Sequence, residues 1–294
     1  MSSQEGWGLS GQLRWSRRGV VGLEVGVRGY ERTMWHPATP ILNALSYQPG
    51  DRRILETPET YGLDYQELSL RTADGETIEA WFVPAVGESL GHMLFAHGNG
   101  GNIGDRSPML GMLAAVGFDV MVFDYRGYGR STGRPSERGT YLDVRAAREA
   151  LLARPGVDAN RLVYLGKSLG GGVMLELANA FPPAALLLMS TFTGMRDAGT
   201  TVYPFLPKLF VPNAYPSLKR IHTLGCPVMI MHGDADELLP VQMGRDLYAA
   251  APEPKQLVVY PGGLHNNLIA FPGWAETVAS WAAGVLPPKR LTSG

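Results

Sequence analysis

The chain has 294 residues, 45% hydrophobic and 18% charged, with a formal net charge of −1. That balance describes a folded globular protein and gives no support to nucleic-acid binding through bulk positive charge. A single cysteine, Cys226, excludes an intramolecular disulfide and fits a reducing, cytoplasmic compartment, and no apolar run approaches the ~20 residues of a membrane span.

Residues 1–60 carry scattered Gly and Pro and no sustained period, so they read as an N-terminal extension of uncertain role. Residues 19–27 are broken by Glu24 and further glycines, which does not fit a secretory signal, and the basic, Trp-containing start around Arg14, Arg17 and Arg18 reads as a solvated tail before a membrane contact. From Tyr65 the pattern clears. "YQELSLRT" and "ETIEAWFVP" alternate polar and apolar residues around Ala73-Asp74-Gly75, a β-hairpin with Asp-Gly at its turn. Apolar runs then alternate with helical stretches. "HMLFAH" is a strand and Ser107 to Gly117 a helix; "DVMVFD" is a strand and Thr140 to Leu152 an amphipathic helix. "RLVYL" leads into a helix over Gly170 to Ala180, and "AALLLMS" is the next strand. "PVMIMH" and "QLVVY" flank a helix at Val241 to Ala250, and Trp274 to Val285 is a last helix. Continuous apolar strands separated by helices imply a mostly parallel, doubly wound α/β sheet buried on both faces, entered by the antiparallel hairpin. The stretch between "LLLMS" and "PVMIMH" breaks the rhythm; rich in Pro, it carries Phe192, Met195, Tyr203, Phe205, Phe210 and Tyr215, and an insertion of this length is often functional.

The pattern G-x-S-x-G occurs twice, at Gly129–Gly133 and Gly166–Gly170. Its chemistry requires a strand, a sharp turn and a helix, so that the hydroxyl stands clear of the sheet with the next amide aimed at the same spot. Ser131 lies several residues past its strand and runs into Thr-Gly-Arg-Pro, a glycine-rich connector. Ser168 follows "RLVYL" and enters a helix at once. The Gly-Lys-Ser at 166–168 is also half of a phosphate-binding loop, but the required glycine five places earlier is Arg161, and the intervening residues are the strand itself.

A serine nucleophile needs a base, and the base needs a carboxylate to orient it. Of the histidines after Ser168, His222 approaches a strand and His232 ends one, bracing the next turn. His265 sits in the glycine-rich loop "PGGLHNN" after the last strand, which can return an imidazole to the sheet top. Asp234 and Asp236 in "HGDADELLP" are both candidate acids, Asp236 lying deeper in the turn and Asp234 better placed to cap it. Asp124 opens a glycine-rich loop that its side chain is suited to hold. The oxyanion of a tetrahedral intermediate needs two donors: the amide of Leu169, and one from "HGNGGN", where Asn99 is favoured.

Taken together, "HGNGGNIGDR", "DYRGYGRSTGRPSE", "GKSLGG", "HGDADELLP" and "GGLHN" resemble the α/β-hydrolase fold superfamily. More narrowly, with "TGMRD" and "AYPSLKRI", they resemble its ABHD-type serine hydrolases, the branch related to palmitoyl-protein thioesterases. The resemblance covers about residues 62–285. It implies a hydrolase domain over 61–290 with a short cap at about 191–220, a Ser168–Asp236–His265 triad with the acid at Asp236, and Asn99 as the second oxyanion amide. It further implies no cofactor, no metal, and a small-molecule or acyl ester or thioester substrate. The thioesterases of that branch carry a cysteine-rich, lipidated N-terminus, whereas no cysteine stands in the N-terminal region here. The expected activity is acyl transfer from an ester or thioester to water, with an amidase or peptidase using the same triad, or a non-catalytic binding protein on this scaffold, as alternatives. Phe192, Met195, Tyr203 and Phe205 are the expected acyl-pocket residues, and Arg196 and Lys208 candidate contacts for an anionic group.

Overall fold

The computed structural model describes residues 47–205, 207, 211 and 213–289. The expected hairpin forms from β1 (Gln66–Arg71) and β2 (Thr77–Val83), paired antiparallel. On β1 only Leu68 and Leu70 turn inward, which is the alternation of a strand covered on one face. The strands that follow are β3 (Gly91–Ala96), β4 (Phe118–Phe123), β5 (Leu162–Lys167), β6 (Ala185–Met189), β7 (Val228–Gly233) and β8 (Lys255–Tyr260). Within this sheet the order is β1-β2-β4-β3-β5-β6-β7-β8, parallel from β4 to β8.

The helices are α1 (Ser107–Ala115), α2 (Glu137–Leu152), α3 (Leu169–Ala180), α4 (Met195–Val202), α5 (Ser217–Ile221), α6 (Val241–Ala250) and α7 (Trp274–Val285). Val144, Leu151, Val173, Leu177 and Leu247 bring α2, α3 and α6 onto one sheet face with Leu94 and Tyr164. Leu110, Leu113, Trp274 and Val278 bring α1 and α7 onto the other with Met93, Phe95 and Leu165. Each central strand therefore buries both faces, which is why its sequence reads as an unbroken apolar run.

The strand order reverses between β3 and β5, because β4 lies on one side of β3 and β5 on the other. The connections leaving the carboxyl ends of β3 and β5 part to opposite faces there and open a crevice, the usual ligand position in open α/β sheets. The loop after β3 and the turn after β5 meet at this point, and helices α4 and α5 belong to the long insertion after β6. Residues 47–57 run across the same end. Asn102 Nδ2 donates to the carbonyls of Asp51 (3.1 Å) and Arg53 (3.0 Å), and Arg52 Nε donates to Gly129 O (3.0 Å). The buried Tyr47 hydroxyl meets that of Tyr215 at 2.7 Å, and Tyr215 in turn meets Thr140 Oγ1 at 2.9 Å. The expectations for the first 46 residues lie outside the described residues.

Candidate active site

The turn at Ser168 is built by close approach. Ser168 has φ 52° and ψ −115°, a backbone conformation that costs a non-glycine residue about 1–3 kcal/mol and persists only where surroundings enforce it. A Cβ on Gly166 would lie 2.5 Å from Gly170 O, and one on Gly170 would lie 1.9 Å from Ala96 O. Only glycine at both positions lets β5 turn into α3 against β3. The bend is pinned by Ser168 N–H donating to Met189 O (2.9 Å) and Thr191 Oγ1 donating to Ser168 O (2.8 Å).

Ser168 Oγ lies 3.1 Å from His265 Nε2, across 97 residues of chain. On the far side of the ring, His265 Nδ1 lies 2.9 Å from Asp236 Oδ2 and 3.1 Å from Oδ1. The imidazole thus has one nitrogen on a carboxylate and the other on the hydroxyl. Asp236 Oδ1 also accepts the backbone N–H groups of Leu238 (3.0 Å) and Leu239 (2.8 Å). Burial acts to raise the Asp236 carboxyl, but hydrogen bonds from His232 and His265 and the Leu239 amide outweigh it and hold the group well below the usual carboxylate range. The loop carrying His265 is fixed by Glu237 Oε2, which accepts the His265 backbone N–H at 3.1 Å. Asp234, the other candidate acid, instead accepts the Gly262 N–H (2.6 Å) and ties the turn after β7 to the turn after β8.

Leu169 and Asn99 both line the cavity in front of Ser168. The Asn99 side chain is anchored, its Oδ1 accepting from Tyr128 Oη at 2.8 Å, which fixes the loop that bears its amide. Phe192, Met195 and Tyr203 line the cavity, together with Ala198, Val202 and Leu239. Phe205 is not brought to it: this ring is 83% exposed and sits edge-on to Tyr203. Arg196 Nε donates to Val211 O (3.3 Å) within the insertion after β6; Lys208 and Phe210 lie outside the described residues. Ser131 is buried, its hydroxyl donating to Asp124 O and accepting from the Glu79 N–H, both at 2.9 Å, so the second G-x-S-x-G braces a loop. Asp124 Oδ1 accepts from Ile103 N (3.0 Å) and pairs with His97 Nε2 (3.1 Å), holding the loop after β3. His222 is exposed.

Three side chains at this site were not among the expected catalytic or pocket residues. His232 Nε2 lies 2.8 Å from Leu239 O and 3.3 Å from Asp236 Oδ2. Lys167 and Arg106 face the cavity beside Ser168. Burial pushes the Lys167 ammonium down to about 8, with repulsion from Arg106 adding to it and Asp236 and Glu237 opposing it. Lys167 stood in view within "GKSLGG" and Arg106 at the end of "HGNGGNIGDR", but neither string says which way a side chain turns.

Comparison with known proteins decides the family. A model described as the alpha/beta hydrolase fold matches residues 91–210, and one described as serine aminopeptidase, S33, matches residues 214–269. An uncharacterised Mycobacterium tuberculosis protein is 40% identical over 204 residues, covering 69% of this chain and 73% of that one. The protein bem46 of Schizosaccharomyces pombe is 30% identical over 264 residues, 86% of either chain. The chain belongs to the α/β-hydrolase superfamily. An esterase of Pyrococcus furiosus shares the fold of this α/β-hydrolase at a TM-score of 0.67 and 18% identity, over 82% of this chain and 98% of that one. Membership in the superfamily supports hydrolytic activity.

Proposed function

We propose that the protein is a serine hydrolase that cleaves a carboxylic ester or thioester through an acyl-enzyme. The observation that carries this reading is the hydrogen-bonded line Ser168–His265–Asp236, with separations of 3.1 Å and 2.9 Å, opening on a cavity of about 560 Å³. That volume suits a small-molecule ligand. In the proposed cycle Ser168 Oγ attacks the substrate carbonyl carbon while its proton passes to His265 Nε2. The charge gathered on the carbonyl oxygen is met by the amides of Leu169 and Asn99. Collapse of the tetrahedral species breaks the bond to the leaving oxygen or sulfur, which takes the proton from Nε2. Water then attacks the acyl-serine by the same route in reverse, releasing the acid. Asp236 stays ionised and stabilises the imidazolium that forms in each half. Phe192, Met195 and their neighbours give the acyl chain an apolar wall.

The esterase names of several structural neighbours point the same way, and the peptidase description of the matched C-terminal segment keeps an amide-cleaving reading alongside. The test is labelling by a fluorophosphonate probe followed by turnover of p-nitrophenyl esters of two to twelve carbons and matched p-nitroanilides. Wild-type protein is expected to label and to hydrolyse the esters, with Ser168→Ala losing labelling and about 10⁴-fold or more in turnover. Faster turnover of the anilides would replace esterase by amidase. Absence of both labelling and turnover in folded protein would leave only a binding role.

A further inference from the structure

Beside the nucleophile the cavity changes character. Its side towards the insertion after β6 is apolar, but on the other side it is lined by Asp105, Arg106, Lys167 and Asn266, all four shared with a smaller adjoining cavity of about 180 Å³. Lys167 Nζ donates to Asn266 Oδ1 at 2.6 Å, a neutral partner, and among the described residues no carboxylate lies within ion-pair distance of it. Arg106 donates from Nη2 to Gly100 O, while its Nε is buried without a partner. The acids nearby each hold another hydrogen bond. Asp105 accepts the Asn102 N–H (2.9 Å), Glu237 accepts the His265 N–H, and Asp236 serves His265. Two cations that repel one another thus share a partly desolvated crevice with one carboxylate, Asp105, which among the described residues forms no close ion pair with either, so the crevice carries an excess of positive charge that an arriving anion would offset. They also sit close to the chemistry. A Cβ on Gly98 would lie 3.4 Å from Ser168 Cβ and 3.9 Å from Lys167 Nζ, so one glycine separates hydroxyl from ammonium and leaves the space between them unfilled.

We infer that the substrate carries an anionic group, a phosphate, sulfonate or carboxylate, on the alcohol or thiol half of its ester, seated between Lys167 and Arg106 while the acyl chain lies along Phe192 and Met195. The inference rests on the esterase reading above and deepens it, since the reaction is unchanged: water splits the ester into a carboxylic acid and an anionic alcohol or thiol. The leaving group departs towards the cations, which hold the charged half before and after the bond breaks.

The experiment compares kcat/KM for 2-sulfoethyl butyrate and 2-hydroxyethyl butyrate at constant ionic strength in wild-type protein, Lys167→Gln and Lys167→Arg. Gln removes the charge while keeping an N–H donor on a side chain one atom shorter. The wild type is expected to favour the sulfonate by about ten- to a hundredfold, the range of one charge-assisted hydrogen bond. Lys167→Gln is expected to lower that ratio at least tenfold and Lys167→Arg to restore most of it. Comparing ratios across variants removes any intrinsic difference between the two leaving groups. An equal ratio in wild type and Lys167→Gln would overturn the proposal. If wild type hydrolyses neither ester, nor p-nitrophenyl butyrate, the esterase reading itself fails, and hexyl phosphate then decides the anion site on its own. A rise in the melting temperature of wild type that Lys167→Gln lacks supports it, and equal or absent shifts in the two overturn it.

Discussion

Between His232 and Asp236 a histidine and a carboxylate meet where the motif reading expected only a turn brace. His232 Nε2 faces two acceptors, Leu239 O at 2.8 Å and Asp236 Oδ2 at 3.3 Å, so this nitrogen must carry the proton. The other ring nitrogen, Nδ1, is buried with no partner. The ring therefore acts as a fixed donor that steadies both the carboxylate and the start of the segment after it. In the proposed cycle His232 is a positioning residue, acting on His265 through Asp236. Replacing it by Leu is expected to lower kcat about tenfold, the worth of a hydrogen bond to a charged group, with KM for short esters little changed. His232→Gln, which can present an N–H to Asp236, is expected to recover part of the loss. A parallel rise in KM with unchanged kcat would assign the residue to the cavity wall instead. Burial and pairing of this kind leave little mark in sequence: the pattern set His232 at the end of a strand and His222 before one, but only the fold shows that the first is a buried donor to Asp236 and the second an exposed ring.

Among the elements, the glycines around Ser168 show how a local pattern becomes a packing requirement. A Cβ at Gly170 would strike Ala96 O at 1.9 Å, and that atom is backbone, so α3 and β3 would have to separate. Gly170→Ala is expected to destabilise the protein by about 3 kcal/mol or more, read from urea midpoints. Gly284 is the contrast. It lies within α7, and a Cβ there would meet nothing within 4 Å, so Gly284→Ala is expected to stabilise by about 0.5–1 kcal/mol through helix propensity. If the two substitutions behaved alike, close approach would not be what fixes the elbow. This level of structure was also the most legible. The helices at Val241–Ala250 and Trp274–Val285 fall where the periodicity placed them, because each presents an apolar stripe to a buried sheet. The helix expected from Thr140 begins at Glu137, because the Ser136 side chain accepts the Gly139 N–H and caps it; the glycine in the first turn hid that start. The helix expected to run to Gly117 stops at Ala115, where Gly117 turns the chain with φ 98°.

Over the whole molecule, the sheet gathers residues that the chain scatters. Ser168, Asp236 and His265 follow different strands, β5, β7 and β8, and meet because all three strands are parallel and end on one edge. Their legibility came from that rule together with the family's motifs. The polar contacts that cross the molecule were not legible, as between Tyr47 and Tyr215, 168 residues apart, or Lys167 and Asn266, 99 apart, since such pairs have neither period nor spacing. The same gathering ties stability to the site. Unfolded, the Asp236 carboxyl takes up a proton near pH 4. Folded, the donors converging on it keep it ionised to lower pH. Below about pH 4 the unfolded chain therefore binds the proton first. The stabilising contribution of the ionised group is complete above the unfolded value and is lost as pH falls through the folded one. Wild type and Asp236→Asn should accordingly differ most in melting temperature between pH 5 and 7, and the gap should narrow as the pH is taken towards 2. A gap that stays constant over that range would mean that shape alone, and not the charge on this carboxylate, holds the His232–Asp236–His265 cluster together.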